Sequence, residues 1–373
     1  MCGVAGALFV RRNDAAACVV DALARMQNRG YDSVGVAHTD GPGTLHVTKY
    51  ATTGENMAMD LLAASGVRNE STRLALGHTR WATHGAVTVE NAHPHLSFDE
   101  EVCLVHNGIL DNAHVLRLEL QMRGVYTFRS DTDSELLASL LALELSQDND
   151  PTLAIRRTVA KLEGTWGVLA TFRKRPGELF CFRNGSPILL AVEQREAFVA
   201  SETAGFGTSV TRYRALANLD VCRIAEVDGI LEVTHDVAVD LLAPSYLESQ
   251  PAESSPDSFA HWTAKEIAEQ GATSRRALEG RISHRGAVTL RGVGAFRDRL
   301  RDTRHVVLLG CGSSHYAAML GRHYLLANNE FASVQVVDGG TFQAADLGNE
   351  GPTTVILLSQ SGETRDLLRC LPL

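Results

Sequence analysis

Apolar and polar positions in the first two thirds of the chain alternate between compact β-type runs and two helical stretches. VCLVHNG (102–108), WGVLATF (166–172), ELFCFRN (178–184) and PILLAVE (187–193) have the length and the branched or aromatic content of buried strands. Residues 15–27 and 132–144 keep a helical rhythm, the second with leucines three and four apart. Strands in blocks and helices in blocks predict an α+β layered domain over residues 1–243. Residues 244–258 break the pattern with Pro244, Pro251, Pro256 and a cluster of serines, which reads as an inter-domain linker.

From residue 259 the rhythm changes. The spacing predicts an amphipathic helix over 259–281, interrupted at Gly271. It then predicts a strand over 305–309, a helix over 314–328, strands over 334–337 and 354–358, and a last helix beginning at 363–371. Apolar strands alternating with helices imply an α/β parallel sheet covered on both faces. Only three such strands occur, so the domain over 259–373 is expected to be incomplete.

Composition narrows the partners. Among 373 residues, 45% are hydrophobic and 21% charged, which excludes disordered and disulfide-stapled classes and allows a real core. Lys+Arg at 35 against Asp+Glu at 44 gives a net charge of −9, which argues against nucleic acid or an anionic membrane and for small ligands. The seven cysteines are odd in number and form no CxxC pair, as in a reduced, cytosolic chain. The opening MCGVAGALFVRR places its apolar stretch before its basic pair, the reverse of a signal peptide. No run reaches the ~18 apolar residues of a membrane span. A cytoplasmic location is expected.

Cys2 directly follows the initiator Met. Removal of Met1 would leave a thiol and a free α-amine on one residue. The thiol is a strong nucleophile, and an α-amine of ordinary pKa ~7.7–8.0 is a suitable general base. The blocks MCGVAG, NRGYDSVGVA (28–37), GHTRWATHG (77–85), NAHPH (91–95), VHNGIL (105–110) and SDTDSE (130–135) follow in this order. Together they resemble the class II glutamine amidotransferases, whose glutaminase domain is an Ntn hydrolase, and in particular the glutamine–fructose-6-phosphate aminotransferase family. The resemblance implies L-glutamine as substrate and Cys2 as nucleophile. It implies Arg80 for the α-carboxylate and Asp133 for the α-ammonium, with Thr83 and His84 in the same pocket and Trp81 on the flanking loop. A planar guanidinium suits a carboxylate, and a carboxylate suits an ammonium. Asn107 and Gly108 then read as an oxyanion hole, although Asn-Gly is also a favoured turn dipeptide after a strand. Arg29 stands where a cation would favour the thiolate. The alternative for Arg80 and Asp133 is an ordinary surface charge pair.

His78, His84, His93, His95 and His106, with Cys103, invite a metal reading. Their spacing matches neither a zincin nor a CxxC site, so no metal and no cofactor is expected. In the second domain Gly310 and Gly312 suggest a dinucleotide fingerprint, but position 315, where the third glycine belongs, is His. CGSSHYA (311–317) and LSQSGET (358–364) instead resemble the sugar-isomerase (SIS) domain of the same family. By motif position Ser314, Ser359, Gln360, Ser361 and Thr364 would hold the phosphate of fructose 6-phosphate, though serines there also serve as helix caps. Ala264 and Gly271 replace the family's usual Met and Pro, and DGGTF lacks an acidic residue usual after that strand.

The family continues through the remainder of this domain and a second isomerase domain, and that second domain carries the C-terminal ring-opening lysine. This chain is therefore expected to hydrolyse glutamine without completing glucosamine 6-phosphate, as a fragment or a truncated form. Homo-oligomers are expected only of a complete chain. Two other functions remain open: a different class II enzyme such as an amidophosphoribosyltransferase, and a non-catalytic sensor of glutamine or hexose phosphate.

Overall fold

A computed structural model describes the chain except residues 1, 28–29, 41–42, 82–84, 209, 237–244, 247–257, 283–287, 289–292, 294–295, 328–329, 348–350, 361, 363 and 372–373. It divides into two compact units, Met1–Asp257 and Ser258–Leu373. The expected linker lies almost wholly outside the described residues.

The first unit runs β1 (Gly3–Phe9), α1 (Ala15–Arg25), β2 (Ser33–Thr39), β3 (Leu45–Ala51), α2 (Ala58–Ala64), β4 (Leu74–Arg80), β5 (His95–Leu96) and β6 (Val102–Leu110). Three helices follow, α3 (Ala113–Met122), α4 (Asp133–Leu145) and α5 (Pro151–Val159), and then β7 (Gly164–Phe172) and β8 (Glu178–Asn184). The last strands are β9 (Leu189–Val192), β10 (Glu196–Ala200), β11 (Arg212–Ala215), β12 (Val221–Val227), β13 (Ile230–His235) and β14 (Ser245–Tyr246). They form an eight-stranded sheet, β14-β11-β9-β10-β1-β4-β2-β3, and a six-stranded sheet, β13-β12-β8-β7-β6-β5.

Period-two alternation explains how these sheets stack. On β1, Val4 and Leu8 join Val105, Leu169 and Cys181 in a core between the sheets, while Ala5, Ala7 and Phe9 face α1 and α2. On β6, Cys103 and Val105 enter the same inter-sheet core, while Val102, Leu104 and Leu110 face the leucines of α4. Strands buried on both faces read as continuous apolar runs, and the result is a helix–sheet–sheet–helix sandwich. The α+β expectation holds at this level, and the runs at 102–108, 166–172, 178–184 and 187–193 each fall on a strand.

The second unit contains α6 (Trp262–Leu278), α7 (Arg297–Arg301), β15 (His305–Gly310), α8 (Ser313–Ala327), β16 (Ser333–Asp338), β17 (Thr353–Leu358) and α9 (Arg365–Leu368). Its three strands are parallel in the order β16-β15-β17, with apolar clusters on both faces. One expectation is corrected. Gly271 does not interrupt the helix: α6 runs through it, and an added Cβ there would meet open space. An exposed Gly costs a helix only about 1 kcal/mol, too little to break one of 17 residues.

Candidate active site

Strand register assembles the site. Gly3 pairs with Thr79 across the antiparallel β1–β4 ladder, so Cys2, just before β1, comes beside Arg80 and Trp81 at the end of β4. Gly3 N–H donates to Thr79 Oγ1 at 3.1 Å, and a Cβ on residue 3 would come within 2.8 Å of that oxygen. The Trp81 N–H donates to Cys2 Sγ at 3.2 Å. Burial pushes the Cys2 thiol up, while the Trp81 backbone contact and the Arg80 charge pull it down and Asp32 raises it. The net shift is upward, so at neutral pH the sulfur carries its proton, and nucleophilic attack requires a base to take it.

The opposite sheet supplies Asn107. Its Nδ2 donates to the Cys2 carbonyl at 2.7 Å, and its Oδ1 lies 2.9 Å from His78 Nε2. An amide oxygen only accepts, so His78 carries its proton on Nε2. Burial holds the His78 pKa at about 3, with the Asn107 contact acting in the other direction, so the ring is neutral. This pairing orients the Asn107 amide, leaving its second N–H for another acceptor. Asn107-Gly108 does not form a turn, because β6 continues to Leu110. Gly108 has φ +142°, and a Cβ there would overlap Thr165 O at 2.0 Å, so only glycine fits.

Cys2, Arg80, Trp81, Gly108 and Asp133 line one cavity of about 610 Å³. Arg80 is buried; its Nη1 donates to Ala86 O at 3.2 Å, and burial lowers its pKa while the Cys2, Asp32 and Asp133 charges raise it. Asp133 opens α4, accepting from Leu110 N–H at 2.8 Å and from Ser134 Oγ at 3.3 Å. Trp81 is exposed, with its ring 5.4 Å from that of Tyr31. A buried cation and a carboxylate in one cavity with a thiol are what an α-amino acid with a reactive side chain requires. Arg29, Thr83 and His84 lie outside the described residues.

The structure adds residues that spacing did not single out for the pocket. His93 and His106 line the cavity, with the His78 and His93 rings stacked at 4.1 Å. His93 Nδ1 accepts from the His106 N–H at 3.2 Å, and burial holds both His93 and His95 well below the ordinary imidazole range. Among the described residues no group of three His, Cys, Asp or Glu side chains is arranged to hold a metal. Glu135, buried, accepts from Arg129 N, Ser130 N and Ser130 Oγ at 2.8, 2.6 and 2.7 Å, clamping the loop before Asp133. The Thr132-x-x-Glu135 order within SDTDSE, with the spacing of a capping box, was the available signal for Glu135.

In the second unit, β15 and β17 are neighbours, with Gly310 opposite Leu358. Ser314, at the start of α8, and Ser359, Gln360 and Thr364 therefore leave the same end of the sheet from adjacent strands. Ser359 Oγ lies 2.9 Å from Thr364 Oγ1 and accepts from Gly362 N–H at 3.0 Å. Ser361 lies outside the described residues.

Residues 78–207 match the family described as glutamine amidotransferase domain. Over that stretch the chain is similar to a glutamine amidotransferase domain. Over its whole length it is 34% identical to the glutamine–fructose-6-phosphate aminotransferase [isomerizing] of Escherichia coli K12 and 32% identical to a probable enzyme of that name from Acanthamoeba polyphaga mimivirus. It covers 59% and 60% of those two proteins, so it spans about 60% of the length of the curated relatives it matches. Among solved structures, the glutamine PRPP amidotransferase from B. subtilis is similar in fold. Its TM-score is 0.52 at 21% identity, covering 96% of this chain and 69% of that one. A second structure, titled as the allosteric regulatory enzyme of purine biosynthesis, gives 0.57 at 17% identity over 98% and 91%. Among the described residues no helix is long and apolar enough to cross a membrane.

Proposed function

We propose that the Met1–Asp257 unit hydrolyses L-glutamine, as the glutaminase half of an amino-sugar-forming aminotransferase. The observation that carries this reading is the cavity in which the Cys2 thiol, the Arg80 guanidinium and the Asp133 carboxylate meet. Arg80 takes the α-carboxylate and Asp133 the α-ammonium, which directs the side-chain amide at Cys2. After removal of Met1, the α-amine takes the thiol proton and Sγ attacks the amide carbon. The oxygen becomes an oxyanion, met by the free N–H of Asn107 and the Gly108 main chain. Collapse breaks the C–N bond, the amine returns the proton, and ammonia leaves a γ-glutamyl thioester. Water activated by the same amine then releases glutamate and restores the thiol. Trp81 lines the same cavity, and by motif position Thr83 and His84 would serve glutamine binding and Arg29 would favour the thiolate.

The Ser258–Leu373 unit reads as the start of a sugar-isomerase domain on an Ntn-type glutaminase. A three-stranded order β16-β15-β17 reverses direction about β15, and the crevice beyond the strand ends at such a point is where α/β sheets take ligands. Ser314, Ser359, Gln360, Ser361 and Thr364 would hold the phosphate of fructose 6-phosphate there. In the complete enzyme the released ammonia would serve that sugar. The same reading makes the protein cytoplasmic, needing no cofactor, and oligomeric only as a complete chain.

The test is glutamate and ammonia release from L-glutamine by the purified chain, with intact mass to establish the state of Met1, beside the Cys2→Ala variant. Stoichiometric release that disappears in Cys2→Ala is expected. Release by Cys2→Ala at the parent rate would overturn the mechanism, and L-glutamine binding without turnover by a chain with mature Cys2 would favour the sensor reading.

A further inference from the structure

Arg80 and Asp133 stand on different elements, β4 and α4, and no strand pairing sets the distance between them. Asp133 is held to β6 by the Leu110 N–H, and a short polar relay ties Arg80 to the loop before it. Ala86 O accepts from Arg80 Nη1 at 3.2 Å and from Asn91 Nδ2 at 3.1 Å. Asn91 Oδ1 in turn accepts from the Asp131 N–H at 2.9 Å. Asn91 is 2% exposed, so both halves of its amide are spent inside the protein, one on each side of the pocket. The packing around it is close: a Cβ on Gly85, whose φ is +75°, would stand 3.3 Å from Asn91 Nδ2 and 3.5 Å from Arg80 Nη2. The far side of the 129–133 loop is held by Glu135, so this segment is anchored between Glu135 and Asn91.

We infer that Asn91 is a positioning residue that sets the spacing between Arg80 and the Asp131–Asp133 loop, and so makes the pocket select ligands bearing both an α-carboxylate and an α-ammonium. The inference rests on the reading of this cavity as the glutamine site. Its chemistry needs a donor and an acceptor on one short side chain. Aspartate would keep the acceptor for Asp131 N–H but turn a second oxygen toward the Ala86 carbonyl, and alanine would supply neither. Asn91 touches no reacting atom, so it acts on which ligands fit rather than on the thiol.

The experiment compares L-glutamate with glutarate, which lacks only the α-ammonium, by calorimetric titration of the parent chain, Asn91→Ala and Asn91→Asp. Neither ligand turns over, so binding is read without catalysis. The parent should prefer L-glutamate, and the preference should shrink about tenfold in Asn91→Ala, the scale of one lost buried hydrogen-bonded link in a coupled pair. Asn91→Asp should shrink it in the same direction. Alkylation of Cys2 by iodoacetamide at the parent rate should show that the thiol and the fold around it persist in both variants. An unchanged preference in the variants, or equal losses for both ligands, would overturn the inference by leaving Asn91 a general support of the fold. If the parent chain fails to bind L-glutamate at all, the glutamine-site reading falls, and this inference with it.

Discussion

Lowering the pH from 7 to 5 should destabilise the Met1–Asp257 unit steeply, because its pocket is backed by histidines that the fold keeps neutral. His78 is 1% exposed and held at about 3, against an ordinary value near 6.5. Its folded-state pKa is lower than its unfolded one. Between pH 6.5 and 3 the unfolded chain therefore binds a proton that the folded chain does not, and stability falls as pH falls. Across that window His78 alone accounts for roughly 5 kcal/mol, at about 1.4 kcal/mol per unit. His93 and His95 are depressed by burial in the same direction, and the neighbouring imidazoles disfavour one another's protonation. Near pH 5 three unfolded imidazoles are almost fully protonated, which gives a slope of about 4 kcal/mol per pH unit. Depressed carboxylates such as Asp14 and Glu144 add loss of the same sign only at lower pH. Against a domain stability of roughly 5–15 kcal/mol, the two units from pH 7 to 5 remove much of the total. Urea unfolding at pH 7, 6 and 5, followed by fluorescence of the buried Trp166, measures the slope. A stability that stays level or rises as pH drops to 5 would refute the reasoning. So would a His78→Asn variant that keeps the parent slope.

Three other predictions concern single positions. Gly108→Ala should destabilise the unit by roughly 2–4 kcal/mol and abolish glutamate release, since its Cβ overlaps Thr165 O; a parent-like urea midpoint would contradict this. Arg80→Lys should raise the glutamine KM about tenfold or more with a smaller change in kcat, because an ammonium cannot form the two-pronged carboxylate contact; steady-state kinetics decides it. Glu144→Ala should cost about 3 kcal/mol by urea titration. The Glu144 side chain is 2% exposed, and its carboxylate accepts from Arg123, Lys161 and Arg157 at 2.7, 2.9 and 3.2 Å. The three cations keep partial access to water, which places the cost at the low end for a buried pair.

Local pattern located β6 to β9 and the three strands of the second unit, with helices such as α1, α4 and α8, but not β1 to β5 or β10 to β14. β8 falls on the run at 178–184, and α4 on the leucine rhythm after Thr132, because a strand or helix buried against one core must repeat its apolar positions at its own period. Cys2 stood out by its place directly after Met1, Arg80 and Asp133 through the resemblance to a known family, and the structure brings all three to one cavity. What spacing could not show is the arrangement that depends on pairing distant segments. Asn107 reaches Cys2 across 105 positions and His78 across 29, through strands of two different sheets. Asn91 joins Arg80 to Asp131 through a carbonyl that no pattern marks, and Asn107-Gly108 reads locally as a turn yet continues β6 through Leu110. Periodicity reports which face of an element is buried. Which atoms then meet is decided by strand register and by the sheet that closes over them, and these exist only once the whole chain has folded.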